Sequence, residues 1–365
     1  MLRIRIPVPA RPWDLPSGAD KGAFNPMDEI PSTASGVPEA STPSASPRES
    51  WQQSVFFGPN GLRAGWRLLI FLAILFVLFA GLGAVVRLMM HQTAQKQVPR
   101  FDSVTVLAGE ASVFLLILLA SWIMAKIEGR KIADYGLPWR KVFDRRFWQG
   151  ALIGFAAITV LLLSLRAARV FQFGTLALHG AEIWKYAITW ALAFLTVGFF
   201  EEFAFRGYAL FTLTSGIGFW PSAIIMSVLF GSVHYGNPGE TWLGAFSAGA
   251  VGLLFCLILR RTGDLWMAIG FHAAWDWGES FFFGVADSGA VAPGHLFNST
   301  FAARPVWLTG GTVGPEGSWL CLLLLVVLWF VFAAWLRGAK YPDRAAISGS
   351  HRAGFDASGP ASLTT

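Results

Sequence analysis

Two adjacent glutamates and an arginine lie deep within an otherwise apolar stretch of the chain. Glu201 and Glu202 are followed four residues later by Arg206, and the residues around them are mainly aliphatic or aromatic. A charged side chain at the centre of a membrane-spanning helix costs about 2.5–3.5 kcal/mol on insertion scales. A cost of this size normally marks function, so these three residues are the first candidates for chemistry.

The spacing of the three residues predicts different surroundings for the two carboxylates. On an α-helix, Glu202 and Arg206 are i,i+4 neighbours on one face, whereas Glu201 is rotated by about 100°. We therefore expect Arg206 to pair with Glu202, and Glu201 to point elsewhere. A carboxylate held in an apolar pocket can take a proton from water as a general base. A purely structural ion-pair cluster is the alternative interpretation.

Two further apolar segments carry histidine. His234 follows Phe230 by one helical turn and stands just before the turn-forming residues 237–239. His272 and Asp276 are again i,i+4 neighbours, so their side chains share one helix face. Each histidine taken alone fits a structural role, but an aspartate beside a histidine can also fix its tautomer or face a water-filled cavity with it.

Taken together, these residues form an inventory for acid–base chemistry on three separate helices. Ionisable groups within a membrane usually face a bundle interior or a cavity, so we expect all six to line one polar cavity. Such a cavity could activate water and stabilise an oxyanion. The chain has neither a Gly-x-Ser-x-Gly nucleophile motif nor a His-Glu-x-x-His zinc motif. A base-activated water, with or without a metal ion, is the remaining route to hydrolysis.

The elements that must position these residues are transmembrane helices. The chain is 54% hydrophobic and only 14% charged, whereas a soluble protein carries about 25% charged residues. Apolar runs long enough to cross about 30 Å of hydrocarbon predict an all-α, polytopic membrane bundle of about eight helices. The runs lie near residues 66–89, 104–125, 148–165, 184–212, 219–236, 241–259, 265–283 and 318–336.

Composition also predicts the boundaries of the membrane domain. Residues 1–57 are rich in Pro and Ser and predict a disordered cytoplasmic tail, and residues 339–365 predict a second one. The membrane-embedded domain then covers residues 58–338, with the motifs inside 184–283. The loop at 126–146 carries seven Lys or Arg residues, and this bias predicts that both termini are cytoplasmic. The net charge of +6 lies in such loops, so nucleic acid is not an expected partner.

The three motifs resemble those of the CAAX prenyl endopeptidase and bacteriocin-processing family, also called the Abi family. That family carries Glu-Glu-x-x-x-Arg, then Phe-x-x-x-His, then His-x-x-x-Asn or Asp, on separate membrane helices. The chain has all three in order, beginning at Glu201, Phe230 and His272. The extended sequence Glu-Glu-Phe-Ala-Phe-Arg-Gly is similar to the bacterial branch, and the resemblance covers about residues 184–283.

The resemblance implies an intramembrane endopeptidase of the glutamate type in a bacterial cytoplasmic membrane, acting on a membrane-associated peptide or protein. By analogy, Glu201 activates water with help from His234, while His272 and Asp276 stabilise the oxyanion. Glu202 and Arg206 shape the electrostatics of the site. No cofactor and no metal are implied. The predicted catalytic set is Glu201, Glu202, Arg206, His234, His272 and Asp276.

One position departs from the prenyl-protein proteases, which tend to carry Asn where this chain has Asp276. An ionised aspartate has no proton to donate to an oxyanion, so cleavage of a true CAAX substrate is in question. Two other functions stay open from sequence: a membrane scaffold or bacteriocin-immunity protein in which the network is structural, and a proton-coupled transporter. The lack of a convincing internal repeat argues against the transporter.

Overall fold

The computed structural model describes residues 55–58, 61–92, 102–237, 239–343 and 347. This part of the chain is predominantly helical, which confirms the predicted fold class. The predicted tails fall almost wholly outside the described residues. In chain order the helices are α1 (Ala64–Gln92), α2 (Ser103–Ile127), α3 (Arg145–Ala167), α4 (Ala181–Arg206), α5 (Tyr208–Ile217), α6 (Phe219–His234), α7 (Trp242–Thr262), α8 (Trp266–Asp276), α9 (Val306–Thr309) and α10 (Trp319–Trp335).

Short elements connect the helices. Two-residue strands pair antiparallel in the connections: β1 (Phe57–Gly58) with β2 (Gly61–Leu62), β3 (Phe171–Gln172) with β6 (Thr300–Phe301), and β4 (Ala286–Asp287) with β5 (Ala290–Val291). The 3₁₀ turns are Ile132–Tyr135, Trp139–Lys141 and Pro315–Gly317, and a π-helical turn, Trp277–Phe282, follows α8 directly.

Local signals in the sequence set several helix ends. The side chain of Asp102 accepts hydrogen bonds from the first-turn amides of α2, and those of Asp144 and Thr241 do the same for α3 and α7. Such caps satisfy amides that have no partner inside the helix. Gly263 follows α7 with a φ of 85°, a left-handed conformation that ends the helix at low steric cost.

The protein is a multi-pass membrane protein, but a count of eight spanning helices is not confirmed. Five helical segments of the described residues are long and apolar enough to cross a bilayer: 64–89, 103–127, 145–167, 181–217 and 242–262. The helices α6 and α10 are apolar but shorter, at 16 and 17 residues. The run predicted at 265–283 is divided into α8, of 11 residues, and the π-helical turn.

Helix α8 lies inside the bundle, which explains why its length departs from that of a spanning helix. It packs mainly against α3 and α4, and its residues 266–271 are all buried. By contrast, α1 exposes large apolar side chains such as Phe76 and Val77, as expected of a face toward lipid. A helix enclosed by protein is not required to match the thickness of the hydrocarbon layer.

Glycines bring the backbones of α3 and α8 into contact. A Cβ atom built on Gly154 would lie 2.1 Å from the carbonyl oxygen of Phe271, and one on Gly270 would lie 2.1 Å from that of Phe147. Small residues at a helix–helix interface allow this close approach. This close contact, the α3–α8 seam, fixes the position of α8, which carries His272 and Asp276.

Replacing Gly154 by alanine is therefore expected to destabilise the bundle. Helix propensity alone would favour alanine by about 0.5–1 kcal/mol, whereas overpacking of a tight interface costs about 1–3 kcal/mol. Thermal denaturation of purified protein in detergent measures the net effect, which should be a lower midpoint. Gly81→Ala is the matched control, because Gly81 lies in α1 with open space around its Cβ position. A midpoint that is equal for both variants would contradict a tight seam.

Candidate active site

The six candidate residues converge where α4, α6 and α8 meet. The last two turns of α4 supply Glu201, Glu202 and Arg206. The C-terminal residue of α6 is His234, and the second half of α8 supplies the remaining two residues, His272 and Asp276. Residues separated by 75 positions in the chain thus lie in one small region.

Glu202 and Arg206 form a fully buried ion pair. Nη1 of Arg206 lies 3.3 Å from Oε1 of Glu202, as the i,i+4 spacing predicts. The contact involves one carboxylate oxygen rather than both. The guanidinium also lies over the ring of Phe230, at 4.4 Å from its centroid, an arrangement that favours a cation. Gly252 on α7 leaves the room this group needs, because a Cβ there would lie 2.5 Å from Nη2 of Arg206.

Glu201 points away from that pair and toward the two histidines. Its Oε2 lies 3.6 Å from Nε2 of His272 and 3.9 Å from Nε2 of His234. Both distances are too long for direct hydrogen bonds. This oxygen is shielded from solvent and has no hydrogen-bond partner among the described residues. It is thus an open acceptor with two imidazole nitrogens close by.

Hydrogen bonds at Nδ1 fix the orientation of both histidine rings. Nδ1 of His234 lies 2.9 Å from the carbonyl oxygen of Phe230, and because a carbonyl only accepts, Nδ1 carries the proton. Nδ1 of His272 lies 3.0 Å from Oε1 of Glu202, to which it donates in the same way. Both rings therefore direct Nε2 toward Glu201, and Nε2 of His272 also lies 3.5 Å from Oδ2 of Asp276.

A cavity of about 440 Å³ opens beside these groups. Four of the six predicted residues line it: Glu201, His234, His272 and Asp276. Glu202 and Arg206 do not line the cavity, although the sequence predicted that all six would. They are completely buried behind its wall, where the guanidinium is balanced by the carboxylate. Glu202 contacts the cavity wall through its bond to His272, and Arg206 contacts it through the ring of Phe230.

Three further carboxyl groups line the cavity that the sequence did not single out. They are Glu110 on α2, Asp287 on β4 and Glu316 in the last 3₁₀ turn. Burial raises the pKa of Asp287, and it raises that of Glu316 to about 8. The indole nitrogen of Trp275 donates to Glu316 Oε1 at 2.9 Å and to Glu279 Oε2 at 2.8 Å. No local motif marks these positions, because Asp287 and Glu316 lie in the long connection between α8 and α10.

Histidine and carboxylate groups of this kind can bind a metal ion such as zinc. Within the described ranges, no three His, Cys, Asp or Glu side chains are arranged to hold a metal. The two cysteines, Cys256 and Cys321, are buried free thiols. The arrangement instead offers one open carboxylate oxygen, two oriented imidazoles and an adjoining cavity.

The protein is thus a membrane helix bundle with acid–base side chains around an internal cavity. A family model described as type II CAAX prenyl endopeptidase Rce1-like matches residues 183–278. This segment contains all six predicted residues, and the match confirms the resemblance that the three motifs indicated. A comparison with curated proteins gave no match. The segment that carries the candidate residues is thus similar to a family of peptidases.

Proposed function

We propose that the protein is a metal-independent intramembrane endopeptidase in which Glu201 activates the attacking water. The observation that carries this proposal is the open Oε2 of Glu201, which lies between two imidazole nitrogens at the wall of the cavity. A water molecule bound there would donate to the carboxylate.

In the first step, Glu201 takes a proton from this water as the oxygen attacks the carbonyl carbon of the scissile bond. General-base help of this kind contributes about 10²–10⁴-fold. Nε2 of His234 assists, because its Nδ1 proton is engaged by Phe230 and Nε2 is free to bind the same water. The proton held by Glu201 can then pass to the leaving amine.

The attack turns the carbonyl oxygen into an oxyanion, which needs hydrogen-bond donors. His272 can supply one from Nε2 when its ring is doubly protonated, since Nδ1 already donates to Glu202. The carboxylates of Glu202, Glu201 and Asp276 lie around this ring and balance its positive charge. Donors aimed at a developing charge within a low-dielectric site contribute strongly to the rate.

Glu202 and Arg206 position these groups without touching the substrate. Oε1 of Glu202 accepts from both Arg206 and His272, so the ion pair holds the imidazole at a defined angle.

We propose every step without a metal ion, because each proton transfer has a side chain within reach. By the sequence analogy, the protein belongs to the bacterial branch, with both termini in the cytoplasm and a membrane-associated peptide as substrate.

The experiment that tests this function compares membrane proteomes from cells with the wild-type protein and with Glu201→Ala. A peptide bond cut only by the wild type, at equal protein levels, is the expected result. A scaffold or immunity protein would leave the two proteomes alike. It would also keep its cellular function in the variant, whereas an enzyme would lose it.

Asp276→Asn is expected to keep or raise turnover, whereas Asp276→Ala is expected to lower it. The oxygen Oδ2 of Asp276 lies near Nε2 of His272, so an amide at this place could donate to the oxyanion where a carboxylate cannot. The amide also removes a negative charge beside the developing one. Turnover of the substrate found in the proteomic comparison measures both variants at matched expression. Equal, severe loss would mean that the carboxylate charge is needed to orient His272.

A further inference from the structure

The cavity has a strong imbalance of charge. Among the described residues that line it there is neither lysine nor arginine, while five carry carboxyl groups: Glu110, Glu201, Asp276, Asp287 and Glu316. The only basic side chains on its wall are those of His234 and His272. Glu201 and Asp276 lie next to these imidazoles. Within the described ranges the remaining three carboxyls form no salt bridge, although His272 interacts electrostatically with Asp287 and Glu316.

Asp287 and Glu316 form the outer part of this charge cluster, together with Asp276. Electrostatic interactions connect Asp276 to both, and Asp287 to Glu316. Asp287 and Glu316 accept hydrogen bonds from neutral donors. Ser280 Oγ donates to Oδ2 of Asp287 at 3.0 Å, and Trp275 donates to Oε1 of Glu316. Each of these bonds uses one oxygen of the carboxyl.

Asp287 and Glu316 are half-buried at the cavity wall, where an ionised carboxyl without a cation is costly. A buried carboxylate without a partner is destabilised, and burial accordingly raises the pKa of Asp287 and of Glu316. Behind them, Glu279 is fully buried and its Oε1 has no hydrogen-bond partner within the described residues. Protonation relieves this cost in the empty cavity, and a cation that enters would take the place of the proton and favour the ionised carboxylates.

The cluster is close to the proposed reaction centre. Asp276 lies 3.5 Å from Nε2 of His272, and that nitrogen lies 3.6 Å from Oε2 of Glu201. Asp287 and Glu316 line the same cavity as Glu201, so a substrate whose scissile bond meets Glu201 can place a neighbouring side chain beside them. Because no three acidic or imidazole groups of the described chain are arranged for a metal, a side-chain cation fits better than a metal ion.

We propose that Asp287 and Glu316 form a subsite that accepts a lysine or arginine side chain of the substrate close to the scissile bond. This inference rests on the proposed function and names its substrate class, a basic membrane-associated peptide. A CAAX motif lies at a C-terminus, so a substrate of that kind would bring its terminal carboxylate near the same acidic cavity. Among the described residues that line the cavity, there is no lysine or arginine to pair with such an anion.

The test uses the full-length protein in lipid nanodiscs and synthetic membrane-spanning peptides. The peptides share one apolar sequence and carry lysine, glutamine or glutamate at a single position that is moved along the chain. At the preferred position we expect KM for the lysine peptide to be about tenfold lower than for the glutamine peptide, the effect of roughly one well-placed charge pair. The glutamate peptide should be cleaved least.

Matched variants identify the carboxyls that give this preference. The double variant Asp287→Asn, Glu316→Gln keeps the acceptor oxygens for Ser280 and Trp275 but removes both charges. It should cleave the lysine and glutamine peptides with similar KM. Glu182→Gln removes one carboxylate from the exposed start of α4, outside the cavity, and should keep the full preference. Circular dichroism and thermal denaturation verify that each variant is folded.

Binding to the Glu201→Gln protein separates this inference from the proposed function. Fluorescence anisotropy with labelled peptides measures affinity where no cleavage occurs. Tighter binding of the lysine peptide without any cleavage by the wild type would support the subsite and refute hydrolysis. Cleavage that ignores charge, or a preference kept by the double variant, would refute the subsite alone. Neither binding nor cleavage of any peptide would refute both.

Discussion

Replacing Glu201 by glutamine is expected to lower peptide-bond hydrolysis by about 10²–10⁴-fold, the usual contribution of a general base. Glutamine has nearly the same shape but cannot take a proton from water. Oε2 of Glu201 makes no hydrogen bond to the described residues, so the fold should not depend on its charge. Turnover of an identified substrate in nanodiscs measures the loss, and thermal denaturation should give an unchanged midpoint.

Glu110→Gln is the matched control for this prediction. Glu110 lines the same cavity from α2 and interacts electrostatically with Glu201, yet it has no ion pair with either histidine in the described structure. The variant removes an equal charge from the cavity and should retain most of the activity. If Glu201→Gln were as active as this control, another carboxylate would have to be the base.

Glu202→Ala is expected to act on stability rather than on chemistry alone. It would leave the buried guanidinium of Arg206 without its carboxylate, and loss of one partner from a buried ion pair costs about 3–5 kcal/mol. It would also release His272, whose Nδ1 donates to the same oxygen. Unfolding of the purified protein by heat or by denaturing detergent measures the change, which should be among the largest for any single substitution in the bundle.

The double variant Glu202→Leu, Arg206→Met distinguishes an unpaired charge from a general packing defect. Removing both partners of a buried pair is often nearly neutral for stability, so the double variant should be more stable than Glu202→Ala. It should still be inactive, because His272 would lose the group that orients it. A double variant less stable than the single one would show that packing, and not charge balance, dominates at this position.

Much of the helical architecture could be predicted from sequence because lipid imposes a length on the helices that face it. The runs near 66–89, 104–125 and 241–259 correspond closely to α1, α2 and α7. The run near 265–283 does not correspond to one spanning helix. Its first part, α8, is enclosed by α3 and α4, and contact with protein rather than lipid determines where it ends.

The candidate site was predictable to the extent that helix geometry alone determines it. The i,i+4 spacing correctly predicted the contact between Glu202 and Arg206 and that between His272 and Asp276. The bond between Glu202 and His272 joins α4 to α8, and no local pattern specifies it. No local pattern indicates Asp287 or Glu316 either, because packing of a long connection brings them to the cavity.

The contact between α3 and α8 has a consequence for how a peptide reaches Glu201. Their backbones touch at Gly154 and Gly270, so no layer of side chains lies between them that could rearrange to admit a chain. Helix α8 therefore keeps His272 in place during turnover, and lateral entry from the lipid has to use another side of the cavity. Val106 on α2 and Val233 on α6 border the cavity with apolar side chains, which a route for a membrane-embedded peptide requires.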